Sequence, residues 1–254
     1  MVRTLLLKAN QLKEIFRGSA LKRLIAGSAA MIALVFLLEN WLSSELRSPL
    51  DPTLGVYLPG LQMQGGDPYI RALMRTISAS EANDPQPYTI LYGGQHISDL
   101  SRHPERCITI VSGPNTGNCS TAAGRYQLLN TTWRETARRY HPQPSRFMFW
   151  QSYSFEPEFQ DAVVHAWLSD RGAWESDIPR LLRQGKLDRV LRLLSGTWTS
   201  LGYGIEDNSI TRRLPMVYQK MLQEELRAVD MKAITLSDAG EASLLKLFQS
   251  HSSR

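Results

Sequence analysis

A run of 19 residues from Leu24 through Leu42, LIAGSAAMIALVFLLENWL, carries a single charge at Glu39, and it limits what this chain can become. About 20 apolar residues span a bilayer as a helix. Two readings fit: an uncleaved anchor, or the apolar core of a cleaved signal peptide behind a basic leader. The leader before the run is long, and no small-x-small cleavage site follows in ENWLSSELRS, so the expectation is an anchor. Arg3, Lys8, Lys13, Arg17, Lys22 and Arg23 precede the run, whereas Glu39, Glu45 and Arg47 mark its exit. The positive-inside rule then keeps residues 1–23 in the cytoplasm and sends the rest outside a cytoplasmic (inner) membrane crossed once, at 24–42.

The remaining chain is long enough for a sizeable core, since the whole has 254 residues. Lys and Arg exceed Asp and Glu by 29 to 24, a net charge of +5 that suits an anionic partner such as a nucleic acid, a phospholipid surface or a bacterial wall. The basic residues are scattered over the body of the chain, which argues against nucleic acid. No metal or cofactor site is expected: the two cysteines stand alone and the histidines lack ligand spacing. Cys107 and Cys119 flank ITIVSGPNTGN, a strand-like run followed by turn residues, so the chain can double back and bring them together. In an oxidising compartment a disulfide is then expected; two unpaired thiols remain the other reading.

Residues 43–66, rich in Pro, Gly and Ser, show no sustained period and read as a stalk. The folded body is expected over 67–229. It opens at Asp67, an N-cap with Pro68 in the first turn, and the first helix ends near Glu81. YTILYGGQHI reads as a hairpin about Gly93 and Gly94, and CITIV as a strand. GRYQLLNTTWRETARRY returns to helical spacing, with Tyr126, Leu129, Trp133, Ala137 and Tyr140 on one side. Further helices are expected at Pro157 to Ser169, Pro179 to Gln184, Leu187 to Leu194 and Leu214 to Val229, with Pro215 in a first turn or at a kink. A small β-region enclosed by helices is an α+β architecture. The tail, 230–254, has room for one short helix.

One position in this pattern carries chemistry. Ile70, Leu73, Met74 and Ile77 form a helical stripe, and the next member of that stripe is Glu81. An apolar face and the negative end of a helix dipole both act to raise a carboxyl pKa, and a carboxylic acid protonated near neutrality can serve as a general acid. Taken alone, a helix-end glutamate pointing into solvent fits equally.

The segments SEANDP, YGGQHISDLSRHP, TAAGRYQLL, FQDAVVHAWLSDRGA and LSGTWTSLGYG occur in one order across residues 68 to 227. In order and rough spacing they resemble the phage lambda endolysin family of lytic transglycosylases, which implies a lysozyme-like fold, mainly helical with a small β-hairpin region. The resemblance also implies peptidoglycan as the substrate and the glutamate of the SE pair, Glu81, as the catalytic acid. Such enzymes cut between N-acetylmuramic acid and N-acetylglucosamine, and the sugar's own C6 hydroxyl closes a 1,6-anhydro ring. Asp99, in ISDLSRHP, matches an aspartate of the family's hairpin segment and is expected to orient sugar or stiffen its loop.

Other candidates come from the residues themselves. Gln127 offers a donor and an acceptor to an acetamido group, or is a helix-surface glutamine. Tyr126 lines the cleft or packs in the core. Trp198 and Tyr203 stack on sugar rings or plug the core. Arg125 is expected to pair with a carboxylate, and Asp84, before Pro85, to form a turn. A hydrolytic muramidase on the same fold and a non-catalytic wall-binding module are the competing functions. Anchor, stalk, tail and cysteine pair all lie outside the shared motifs.

Overall fold

The chain divides into Met1–Ser48 and Pro49–Arg254. A computed structural model describes residues 50–113, 115–147, 150–203 and 209–251, all in the second unit. The apolar run at 24–42 lies outside the described residues. Among those described, no helix is long and apolar enough to cross a membrane.

The elements are β1 (Leu50–Asp51), β2 (Val56–Tyr57), α1 (Pro68–Glu81), β3 (Ile108–Thr109), β4 (Cys119–Ser120), α2 (Asn130–Tyr140), β5 (Ser145–Phe147) and β6 (Trp150–Ser152). They continue with α3 (Pro157–Ser169), α4 (Arg171–Trp174), α5 (Ile178–Arg183), α6 (Leu187–Leu194) and α7 (Leu214–His251). Strands pair only as consecutive antiparallel hairpins: β1 with β2, β3 with β4, β5 with β6. The described body is therefore mainly helical with small hairpins, as expected.

Helix α1 is the centre of the core. Asp67 caps it by accepting from Tyr69 N at 2.9 Å, and Pro68 occupies its first turn, where no backbone donor is needed. Ile70, Leu73, Met74 and Ile77 are fully buried; each such side chain stabilises the fold by roughly 1.5–3 kcal/mol. Two arginines fasten α1 to α7 about three turns from its start. Arg71 Nε meets Glu225 at 2.5 Å, and Arg75 meets Glu224 at 2.8 Å and Glu225 at 3.1 Å.

The stalk reading fails from residue 50 onward. Leu54, Val56 and Leu58 belong to the core, and buried Asp51 pairs with Lys220. That ammonium and the Thr53 hydroxyl hold the Asp51 carboxyl well below the usual carboxylate range. The segment after β2 is held by its backbone. Pro59 O and Gly60 O each accept from Arg125 at 2.7 Å, and Gln62 N donates to Asp161 at 2.7 Å. Residues 43–49 lie outside the described residues.

The GRYQ segment is a turn rather than the start of a helix. Gly124 has φ +72°, and a Cβ there would approach Phe155 Cζ to 2.7 Å, so only glycine fits. Helix α2 begins at Asn130, and Leu129, expected on its buried side, is 44% exposed. Cys107 and Cys119 form the expected disulfide, beside the β3–β4 ladder. Closing a loop of this size stabilises by roughly 3 kcal/mol in the chain-entropy picture. Pro215 sits in the opening turn of α7, which runs on through the expected tail to His251 instead of ending near Val229.

Candidate active site

Glu81 is the last residue of α1 and is half-buried. The helix closes behind it through Ala82 N, which donates to Ser78 O at 2.8 Å. The carboxyl does not rest on bare apolar surface. Ser200 Oγ donates to Glu81 Oε1 at 2.5 Å, and Ser80 Oγ lies 2.8 Å from Ser200 Oγ. A serine hydroxyl both donates and accepts, so the Ser200 contact survives with Glu81 either ionised or protonated. A group that must give and then take a proton needs such a neighbour.

Ser200 is placed by the segment after α6. Trp198 N donates to Leu194 O at 3.0 Å, and Leu201 N to Trp198 O at 3.2 Å, winding the chain into successive turns. Thr211 Oγ1 holds the Ser200 carbonyl at 3.0 Å. Trp198 pins the segment: it is 2% exposed, donates its indole N–H to Tyr126 O at 2.9 Å, and packs 5.4 Å from Trp167. It is a buried anchor and presents no face to a sugar. Tyr203 is exposed, but Arg192 lies over its ring at 4.3 Å and its hydroxyl donates to Asp188.

Tyr126 is likewise structural. Its side chain is 1% exposed, and its hydroxyl donates to Asp161 at 2.6 Å, so it has no group left for a ligand. Gln127 adopts a left-handed backbone, φ 44°, with its amide donating to Gly124 O at 3.0 Å and Ile90 O at 3.3 Å. It is a turn clamp, not a helix-surface residue. Among the described residues Arg125 makes no direct ion pair: it is fully buried and reaches Asp161 through the Tyr88 hydroxyl, which accepts from Arg125 at 2.8 Å and donates to Asp161 at 2.7 Å. Burial opposes the Arg125 charge, but Tyr126, Tyr88 and Asp161 around it raise its pKa on balance. Burial pushes both tyrosine hydroxyls above their ordinary range.

The two remaining candidate aspartates are engaged locally. Asp84 accepts from Gln86 N at 2.6 Å and lies 3.5 Å from His96 Nε2, the turn-forming role expected of it. Asp99 is exposed and accepts from Ser101 N at 2.9 Å; the Ser101 side chain and backbone together hold its carboxyl below the usual range. That is the loop-stiffening role. Ser80, Ser200, Tyr88 and Asp161 carry these contacts without having been singled out by the sequence. The only signal for them was their position inside the quoted segments. Among the described residues no cluster fit to hold a metal ion occurs.

Endolysin is the family whose profile matches residues 71–224, more than half of the chain and with Glu81, Ser200 and Asp161 inside the match. The chain belongs to the endolysin family. Over 120 residues it is 31% identical to the endolysin of Escherichia phage lambda, a match spanning 46% of this chain and 64% of that protein, just under two thirds of its length. Two solved structures of bacteriophage lambda lysozyme are also similar. One, complexed with a chitohexasaccharide, has 24% identity and a TM-score of 0.47 over 63% of this chain and 97% of the other. The second has 22% identity and a TM-score of 0.46 over 64% and 97%.

Proposed function

We propose that this endolysin-family chain is a peptidoglycan lytic transglycosylase that cuts the bond between N-acetylmuramic acid and N-acetylglucosamine. Glu81 protonates the leaving O4 as the C1–O4 bond breaks. The C6 hydroxyl oxygen of the same muramic acid bonds to C1, and its proton passes to the Glu81 carboxylate, restoring the acid. No water is consumed. The observation that carries this reading is the Glu81 corner: one carboxyl at the end of a buried helix, held by a hydroxyl that serves both of its protonation states. The turn-bound state of Asp84 and Asp99 supports a mechanism that asks for no second carboxylate. The test is a zymogram on isolated cell walls: the folded chain should clear them, and a folded chain that leaves them intact overturns the proposal.

The same reading places the enzyme on the outer side of a cytoplasmic membrane, anchored by residues 24–42, on the strength of the apolar run and its basic leader. A reporter joined after residue 50 should be active only outside. A mature N-terminus near Ser43 would make the run a signal peptide.

A further inference from the structure

His96, which lies 3.5 Å from Asp84, also lines a hollow together with Ser98, Asp99, Arg102 and Arg106. Asp84 is three residues past Glu81, a stretch of chain about 10 Å long at most. His96 therefore ties one edge of the hollow to the segment that directly follows Glu81. Arg102 and Arg106 are both exposed, and neither forms an ion pair among the described residues. The acid between them in sequence, Glu105, is turned instead to Arg134 at 3.3 Å. Asp99 interacts with Arg102 only at longer range, its oxygen already serving Ser101 N.

The two guanidinium groups are mounted on a fixed frame. His103, between them in sequence, is 4% exposed; its Nδ1 accepts from Glu105 N at 3.2 Å, which leaves Nε2 to donate to Leu128 O at 2.9 Å. Phe155 N donates to Leu100 O at 2.8 Å on one flank, and the Cys107–Cys119 disulfide follows Arg106 on the other. With that backbone already fixed, only the two arginine side chains are ordered when an anion binds. A guanidinium fork matches a carboxylate in particular.

We infer that the Arg102–Arg106 hollow is a subsite for carboxylates of the wall polymer, so that the enzyme grips the charged, peptide-bearing character of peptidoglycan as well as its sugars. This rests on the wall-cleaving reading above. The free carboxylates are those of the peptide stems, because the lactyl carboxyl of a stem-bearing muramic acid is taken up in the amide bond to its stem. Exposed Arg–carboxylate contacts are individually weak, so the expected gain from two is about fivefold to tenfold in affinity.

The test is co-sedimentation with insoluble peptidoglycan sacculi, using the full chain with Glu81→Gln so that binding is read without turnover. Arg102→Ala with Arg106→Ala should raise Kd about fivefold or more on native sacculi. Sacculi whose carboxylates have been converted to amides should bind the parent chain that much more weakly, and should bind the double variant no more weakly than native sacculi do. Equal binding of the parent to native and amidated sacculi overturns the inference, as does a double variant that remains as sensitive to amidation as its parent. If the carboxylate-dependent binding holds but the wild-type chain cuts no wall, the Glu81 reading falls and the subsite stands.

Discussion

Asp161 and Glu81 are carboxyl groups in the same domain with opposite circumstances. Asp161 is fully buried and accepts from the Tyr88 and Tyr126 hydroxyls and from Gln62 N and Met63 N, with the buried Arg125 guanidinium one hydroxyl away. Glu81 is half-buried at a helix end and accepts from the Ser200 hydroxyl, which can reverse its role. The first arrangement uses a negative charge to fasten three stretches of chain, around residues 62, 88 and 126. The second sets a carboxyl at a partly open helix end beside a hydroxyl that can both donate and accept. A carboxylate committed to fixed donors is a structural element; one facing reversible hydroxyls is fit for proton transfer.

Asp161→Ala should break the contrast from the structural side. It strips the acceptor from two buried hydroxyls and two backbone amides and leaves Arg125 without its nearby countercharge, a loss of about 3–5 kcal/mol in denaturant unfolding. A loss under about 1 kcal/mol would mean that the Asp161 centre is not what holds these segments. Glu81→Gln should do the reverse: wall cleavage falls on the order of a hundredfold or more while the melting temperature barely moves. Activity within a few-fold of wild type, in a folded variant, removes Glu81 from the chemistry. The smallest effect belongs to Ser200→Ala, which deletes the hydroxyl between Ser80 and Glu81. A fall in kcat of about tenfold with roughly 1 kcal/mol of stability lost is expected. Wild-type kcat there would show that Glu81 needs no hydroxyl partner.

The parts of this picture that the sequence revealed are those written in side-chain periodicity. Helix α1 was legible at both ends because Asp67 and Pro68 announce its start and because the apolar stripe stops at Glu81. The segment 59–63 was not, since it is bound through backbone groups, Pro59 O, Gly60 O, Gln62 N and Met63 N, whose partners lie far away in sequence. Tyr126 and Trp198 have the chemistry of sugar platforms and of core fillers alike, and only their burial decides for the core. Tyr126, Leu129 and Trp133 stand at helical spacing by coincidence. The left-handed backbone at Gly124 and Gln127 makes a turn there, and a hydrophobic pattern carries no record of φ.

The central claim is that Glu81 works without a second carboxylate and without water, and the product tests it most directly. Walls digested in heavy-oxygen water should yield glycan strands ending in 1,6-anhydromuramic acid, lighter by one water than a reducing end and free of label. In the proposed mechanism the tethered C6 hydroxyl, with the very high effective molarity of an intramolecular nucleophile, outruns solvent. Strands that end mainly in labelled, reducible sugar would contradict the account, make the enzyme a hydrolytic muramidase, and turn attention to Asp84 and Asp99.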